Sequence, residues 1–430
     1  MKTSIQSLHA RRVWDSRGKP TIEAEITLEN GARGRAISPS GASTGSGEAV
    51  ERRDGGAAHG GADVTSAIAG IANTIAPGLV TLDAADQSAV DHRLIELDGT
   101  ENRSRLGGNA LIAVSMAVAH AAAAGQGVPL WTYLAGDKAP GFLPLPEIQI
   151  FGGGAHAGRR IDIQDLMVIA VGAEDFGTAL DWTAEVYRAA GELMAESGRI
   201  AGVADEGGFW PLFATNEEAL STLVKAIERA GFRPGEDVAI SLDIASSEFG
   251  KNGRYRFDQE DRDFDSDGLT ELLLEWTRRY PIVSIEDPLA EDDQTGLAAF
   301  TRAADKRLQV VGDDYLVTSA RRVEEAATLG ACNAVLIKPN QAGTLTEAKA
   351  ALDAANSAGY SSIVSARSGE TEDTTIVHLA VGWGIRQLKV GSFARSERMA
   401  KWNEGLRLAE VLPTGGLLPP RNTMPWGAGS

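Results

Sequence analysis

Six short apolar runs in the second half of the chain each end on a side chain that chemistry can use: residues 238–243 (VAISLD), 282–286 (IVSIE), 308–313 (LQVVGD), 334–338 (AVLIK), 362–367 (SIVSAR) and 387–389 (QLK). Stretches with helical periodicity separate them. Strands alternating with helices predict a parallel sheet. When such a sheet closes into a barrel, the strand C-termini converge on one mouth, and active sites sit there. Three carboxylates, two lysines and an arginine would then face one pocket.

Asp243, Glu286 and Asp313 on successive strand ends would repel one another without a positive charge between them. Hard divalent cations take oxygen ligands, and Mg²⁺ uses a few carboxylates with water and substrate oxygens. Lys338 and Lys389 end or near-end apolar strands. A lysine whose surroundings disfavour its charge can act as a general base. Residues 365–370 (SARSGE) read as an anion site, because Arg367 offers a planar donor fork and Ser368 adds a donor near a helix start. Residues 204–208 (ADEGG) place two acids before a glycine pair, which lets an acid face a pocket. His156 sits in the small, flexible stretch 152–158 (GGGAHAG), and Gln164-Asp165 precedes an apolar strand.

The first third has a different rhythm. Strand-like alternation over residues 4–28, a turn at 29–32 and a return strand at 34–37 precede a small, glycine-rich stretch, 38–47 (SPSGASTGSG), read as a mobile surface loop. Helical patterns follow at about 61–76, 83–97 and 108–125, the last alanine-rich and suited to close packing. Strands first and helices after suggest an α+β unit over residues 1–135. Prolines at 129, 140, 144 and 146 mark the boundary, and the second domain spans 140–430 with a Pro/Gly-rich tail that should wrap the surface or be partly disordered.

The formal net charge of −18 argues against nucleic acid or an anionic membrane as partner, but not against a small anionic substrate, since bound cations reverse the local sign. The lone Cys332 opens an apolar strand and reads as a buried structural thiol. No secretory signal and no run of about 18 apolar residues is visible, so a cytoplasmic enzyme is expected.

Longer motifs carry a resemblance. DSRGKPT (15–21), PSGASTG (39–45), RDGG (53–56), GGAHAG (153–158), DEGG (205–208), SLDIASSEF (241–249), YPIVSIEDPLAEDD (280–293), LIKPNQAGTL (336–345), SARSGETEDT (365–374) and ARSERMAKWN (394–403) together make the chain resemble enolase from end to end. The resemblance implies a modified (β/α)8 TIM-like barrel with an N-terminal α+β lid domain. It also implies Asp243, Glu286 and Asp313 on a tighter Mg²⁺, and Ser43 on a second Mg²⁺ site completed with substrate. Lys338 would take the α-proton, Lys389 would bind the substrate carboxylate, and Glu206 would protonate the leaving hydroxyl. Arg367 and Ser368 would hold the phosphoryl group, Asp165 would stand at a catalytic carboxylate position, and His156, on a closing loop, would act in catalysis and substrate binding. A homodimer or higher homo-oligomer is implied in the same way.

Departures from the enolase pattern fall inside the site. Ala366 stands where enolases carry histidine, which deletes a donor and opens space. Asp165 stands where they carry glutamate and retracts a carboxylate by about 1.5 Å, one C–C bond. The loop around His156 differs and adds Arg159 and Arg160. The changes cluster on the phosphoryl and leaving-group side, whereas the charged set is kept. They suggest an enolase-type dehydratase whose substrate is bulkier or differently charged at the 2-O substituent. Carboxyphosphonoenolpyruvate synthases of phosphinothricin-type antibiotic pathways, which dehydrate 2-phosphonoformylglycerate, fit that description, with Ala366 leaving room and Arg159 or Arg160 meeting the extra charge. A glycolytic enolase acting on 2-phosphoglycerate and a non-catalytic binding protein on the same scaffold are the alternatives.

Overall fold

The computed structural model describes residues 3–42, 44–138 and 141–427, the side chain of His156 excepted. Its first unit is an antiparallel meander of β1 (Ile5–Trp14), β2 (Pro20–Leu28) and β3 (Arg33–Ile37). On β2, Ile22, Ala24, Ile26 and Leu28 alternate onto one fully buried face, the period of two that a half-covered sheet requires. Helix Gly108–Gln126 covers that face and packs on β2 and β3. Its alanines permit the close approach: a Cβ on Gly34 would overlap the backbone of Ala117 and Ala121. This helix is long and apolar enough to cross a bilayer by length and composition alone, but it is a core helix, 89% of it buried inside the protein.

The helices before it start later than periodicity suggests. A tight turn at Ala58–Gly61, with His59 and Gly60 at positive φ, delays the first to Thr65, and it continues through a π segment to Leu79. Asp86 caps the next, Gln87–Asp98, by accepting from the Ala89 N–H.

The larger unit is a closed barrel. Its strands are β4 (Leu145–Gly152) and β5 (Asp165–Ile169), then, after a short hairpin of β6 (Ile200–Val203) and β7 (Phe209–Pro211), β8 (Ala239–Asp243). A small sheet of β9 (Gly250–Lys251), β10 (Arg254–Phe257) and β11 (Arg262–Asp265) intervenes. The barrel resumes with β12 (Ile282–Glu286), β13 (Gln309–Gly312), β14 (Ala334–Ile337), β15 (Ser361–Ser365) and β16 (Gln387–Gly391), which pairs back onto β4. The eight strands of the closed ring are parallel except for β5, antiparallel to both β4 and β8. The reason is the connection: residues 153–164 hold only one 3₁₀ turn, and without a crossover helix the chain can only turn back. Hence β5 begins, rather than ends, at the mouth.

The tail beyond helix Ser396–Val411 wraps the barrel, with Leu412, Leu418, Met424 and Trp426 buried in its core. Cys332 is buried in the same core, and burial pushes its thiol up to about 12.

Candidate active site

Strand register sets the site. Glu286 lies opposite Asp243 across β12 and β8, Asp165 opposite Asp243 across β5 and β8, and Lys389 opposite Ser365 across β16 and β15. Asp313 and Lys338 each follow the last residue of their strands. Glu206 comes from the turn between β6 and β7. There Gly207 holds φ at +99°, and a Cβ would strike the Ala394 carbonyl, so the turn requires glycine. One pocket at the mouth brings together Asp165, Glu206, Asp243, Asp313, Lys338, Ala366, Arg367, Ser368 and Lys389.

Two lysines are threaded among the acids. The Lys389 ammonium donates to Asp243 Oδ2 and Glu286 Oε2, both at 2.8 Å, and lies 3.5 Å from Asp165 Oδ2. Lys338 Nζ donates to Asp313 Oδ2. Burial, the largest single influence, disfavours both ammonium ions, but the facing carboxylates together prevail, Asp313 with Glu286 for Lys338 and Asp243 with Glu286 and Asp165 for Lys389, so both pKa values are raised. Burial and then Asp243 raise Glu286, whereas Lys338 overcomes burial and holds Asp313 below the usual carboxylate range.

On the anion side, Arg17 Nη1 donates to Ser368 Oγ at 3.2 Å, and Asp15 Oδ2 anchors Arg17 at 3.0 Å. The turn carrying Arg367 is braced from behind. Fully buried Arg398 donates to the carbonyls of Arg367 (2.7 Å), Val390 (2.9 Å) and Ser368 (2.6 Å). Glu370 accepts from the Arg367 N–H at 3.0 Å and pairs with buried Lys401 at 2.9 Å. Ala366, 5% exposed, faces the pocket beside this turn.

Both halves of the chain match models of known domains. The model described as "Enolase, N-terminal domain" covers residues 5–134, and that described as "Enolase, C-terminal TIM barrel domain" covers residues 141–422. The chain belongs to the enolase family.

The enolase-family fold implies Mg²⁺ dependence, and the donor set can be tested for it. Asp243 and Glu286 already converge on one cation, the Lys389 ammonium, which stands where positive charge is wanted. Glu286 Oε1 is buried with no hydrogen-bond partner, a cost that a cation would remove. Asp287, Asp313 and Asp314 form a second candidate cluster, with oxygens within 4.8 Å of one another. In it, however, Asp287 spends its carboxylate on the N–H groups of Asp313 (2.9 Å) and Asp314 (2.8 Å). It acts as a clamp that fixes the backbone presenting Asp313. Burial, with Asp313 nearby, pushes the Asp314 carboxyl up to about 8. The residues that fit Mg²⁺ are Asp243, Glu286 and Asp313.

One expected member of the site stands elsewhere. Arg159, with φ at +55°, is exposed and paired with Glu248 at 2.8 Å, not directed into this enolase-type pocket. Its position after the left-handed Gly158 turns the side chain toward the 3₁₀ turn at Ser246–Glu248. Ser43 lies outside the described residues, as does the side chain of His156. The stretch 38–47, read as a mobile loop, is seated on the barrel where described. Ser40 and Gly369 exchange backbone hydrogen bonds at 2.9 Å, Ser46 bonds Glu291, and Ala49 N–H donates to the Gln341 carbonyl at 2.8 Å.

The sequence reading did not anticipate several contacts in the site. Gln164 donates to Asp243 Oδ2 at 3.0 Å, and Gln341 to Asp313 Oδ1 at 3.0 Å. Gln149, buried in β4, donates to Asp165 Oδ1 and accepts from Gly208 N–H at 2.8 Å, tying Asp165 to the Glu206 turn. Glu48 grips Arg367. Strand alternation could have placed Gln149 inside the barrel, because only inward positions of a barrel strand face the mouth; nothing local marks Glu48.

Proposed function

We propose that this chain is a Mg²⁺-dependent hydro-lyase that removes the α-proton and then the β-hydroxyl of a 2-phosphoglycerate-like acid. Membership of the enolase family supports a lyase of this type. The observation that carries the reading is the meeting of Lys338, Glu206, Lys389 and Arg367 in one pocket with three buried carboxylates.

An α-proton beside a carboxylate is very weakly acidic. Mg²⁺, when held by Asp243, Glu286 and Asp313, supplies positive charge where the substrate carboxylate gains negative charge, as is established for enolase-superfamily sites. Lys338 Nζ accepts the α-proton. To do so it must first lose its own proton, which its contact with Asp313 opposes. A cation held by Asp313 would weaken that opposition. Lys389 orients the substrate carboxylate. Glu206, 6% exposed in its glycine turn, donates a proton to the leaving hydroxyl from a strand other than that of the base. Arg367 and Ser368 hold the phosphoryl end. The Asp287 clamp and the Gln149 bridge keep Asp313 and Asp165 in place.

The substituent on the 2-oxygen is larger than a phosphoryl group, as in 2-phosphonoformylglycerate. Ala366 supports this, because its methyl group leaves the space beside Arg367 that a ring would fill. Arg159 has no part in it. A homodimer in the cytoplasm, with no nucleic-acid or membrane partner, completes the proposal. The test is to supply both acids with Mg²⁺ and follow absorbance of the enol product. The phosphonoformyl acid should be dehydrated faster, and Lys338→Ala should lose about 10²–10⁴-fold in rate. Turnover of 2-phosphoglycerate at ordinary enolase rates would assign the chain to the glycolytic reaction. Absence of Mg²⁺-dependent binding of either acid would leave a non-catalytic scaffold.

A further inference from the structure

The donor fork of Arg367 already holds an anion that belongs to the chain. Glu48 accepts from Arg367 Nη1 at 3.0 Å (Oε2) and Nη2 at 3.1 Å (Oε1), a two-pronged pair of the kind that recognises phosphate. Both side chains are buried, at 3% and 9% exposure. Burial alone would lower the pKa of Arg367, but Glu48 outweighs it and raises it. The guanidinium is therefore not waiting in solvent for a ligand. Its side chain is committed to a carboxylate of the same charge class as the substrate head group.

The two partners are held with unequal firmness. Arg367 sits on a turn braced by Arg398 and Glu370. Glu48 sits on the segment that follows the glycine-rich loop, and beyond Arg367 its carboxylate takes, among the described residues, the Gly45 N–H at 3.0 Å and Gln341 Nε2 at 3.3 Å. A phosphoryl group that needs the same fork must displace the weaker-held partner. We propose that Glu48 is a specificity-determining residue: its carboxylate is the resident ligand of Arg367, and only an anion of higher charge expels it. The inference rests on assigning Arg367 to the phosphoryl end.

Such a placeholder does two things. It keeps a buried arginine compensated before substrate arrives, which avoids the large penalty of an unpaired internal charge. It also rejects singly charged acids, which gain nothing by exchanging one carboxylate for another. A competitor that occupies the fork about 90% of the time lowers apparent affinity about tenfold. Because Glu48 Oε1 also accepts from the Gly45 N–H, its departure also releases that contact.

Calorimetry with inorganic phosphate and with formate tests this without turnover. Unmodified protein should bind phosphate weakly and formate not at all. Glu48→Gln, which keeps shape but drops the charge, should bind phosphate about tenfold tighter or more and should begin to accept formate. Equal or weaker phosphate binding by Glu48→Gln would overturn the proposal and make Glu48 a support that orients Arg367. Should the variant fold poorly, amide exchange in the unmodified protein decides: phosphate should speed exchange of the Gly45 N–H, and unchanged exchange would refute displacement. A chain that dehydrates neither glycerate acid but shows tighter phosphate binding as Glu48→Gln keeps this inference and loses the reaction.

Discussion

Position 366 is where a single side chain has the greatest leverage on substrate choice. Ala366 is buried at the edge of the pocket, next to the braced turn that carries Arg367. Ala366→His would fill the space with a ring and add a donor there. Discrimination by one such group in a tight pocket is worth about 10–200-fold. The expected outcome is a loss of this order for 2-phosphonoformylglycerate with a gain for 2-phosphoglycerate, read as the ratio of the two kcat/KM values. An unchanged ratio would mean that position 366 does not contact the substituent. Lys338 carries a different lesson at this scale. Its sequence context, an apolar strand end, suggests a lysine driven toward neutrality, yet the side chain that decides its charge, Asp313, comes from a neighbouring strand.

At the scale of elements, the first domain depends on how closely a helix can lie on a sheet. Helix Gly108–Gln126 meets β3 at Gly34 with no room for a methyl group. Gly34→Ala should therefore force the helix off the sheet and destabilise the protein by about 1–3 kcal/mol, the usual cost of overpacking. Urea denaturation measures this, and a neutral result would show that the helix shifts freely. The antiparallel β5 is the other decisive element. Turning back after β4 places Asp165 at the mouth from the start of a strand, and Gln149 then spans the gap to the Glu206 turn.

For the molecule as a whole, the outer helices of the barrel are joined by pairs whose worth varies with pH. His378, on helix Thr375–Trp383, lies 3.3 Å from Glu404, on helix Ser396–Val411. The hydrogen bond from His378 holds the Glu404 carboxyl down at about 2, from an ordinary value of 4.5. A depressed carboxyl pKa adds stability that is complete above about pH 4.5 and disappears as the pH falls through about 2. After solvent screening the contribution is about 1 kcal/mol or less. His378→Gln should thus lower Tm at pH 5, and the deficit should close as the pH approaches 2. A deficit independent of pH would assign the pair a packing role only.

Family, barrel, strand ends and the charged residues that terminate them were all legible in the chain, because each depends on local period and on motifs of adjacent residues. Asp243, Glu286, Asp313, Lys338 and Arg367 were visible as the last or next residues of apolar runs. Which charge faces which was not. The fork of Arg367 is filled by a glutamate 319 residues away, Asp313 is presented by Asp287, and Arg159 turns aside to Glu248. Those pairings form only when the strands close into a ring and the first domain settles on its mouth. Buried charges take whichever partners the closed fold brings within a few ångströms, and sequence spacing carries no record of that distance.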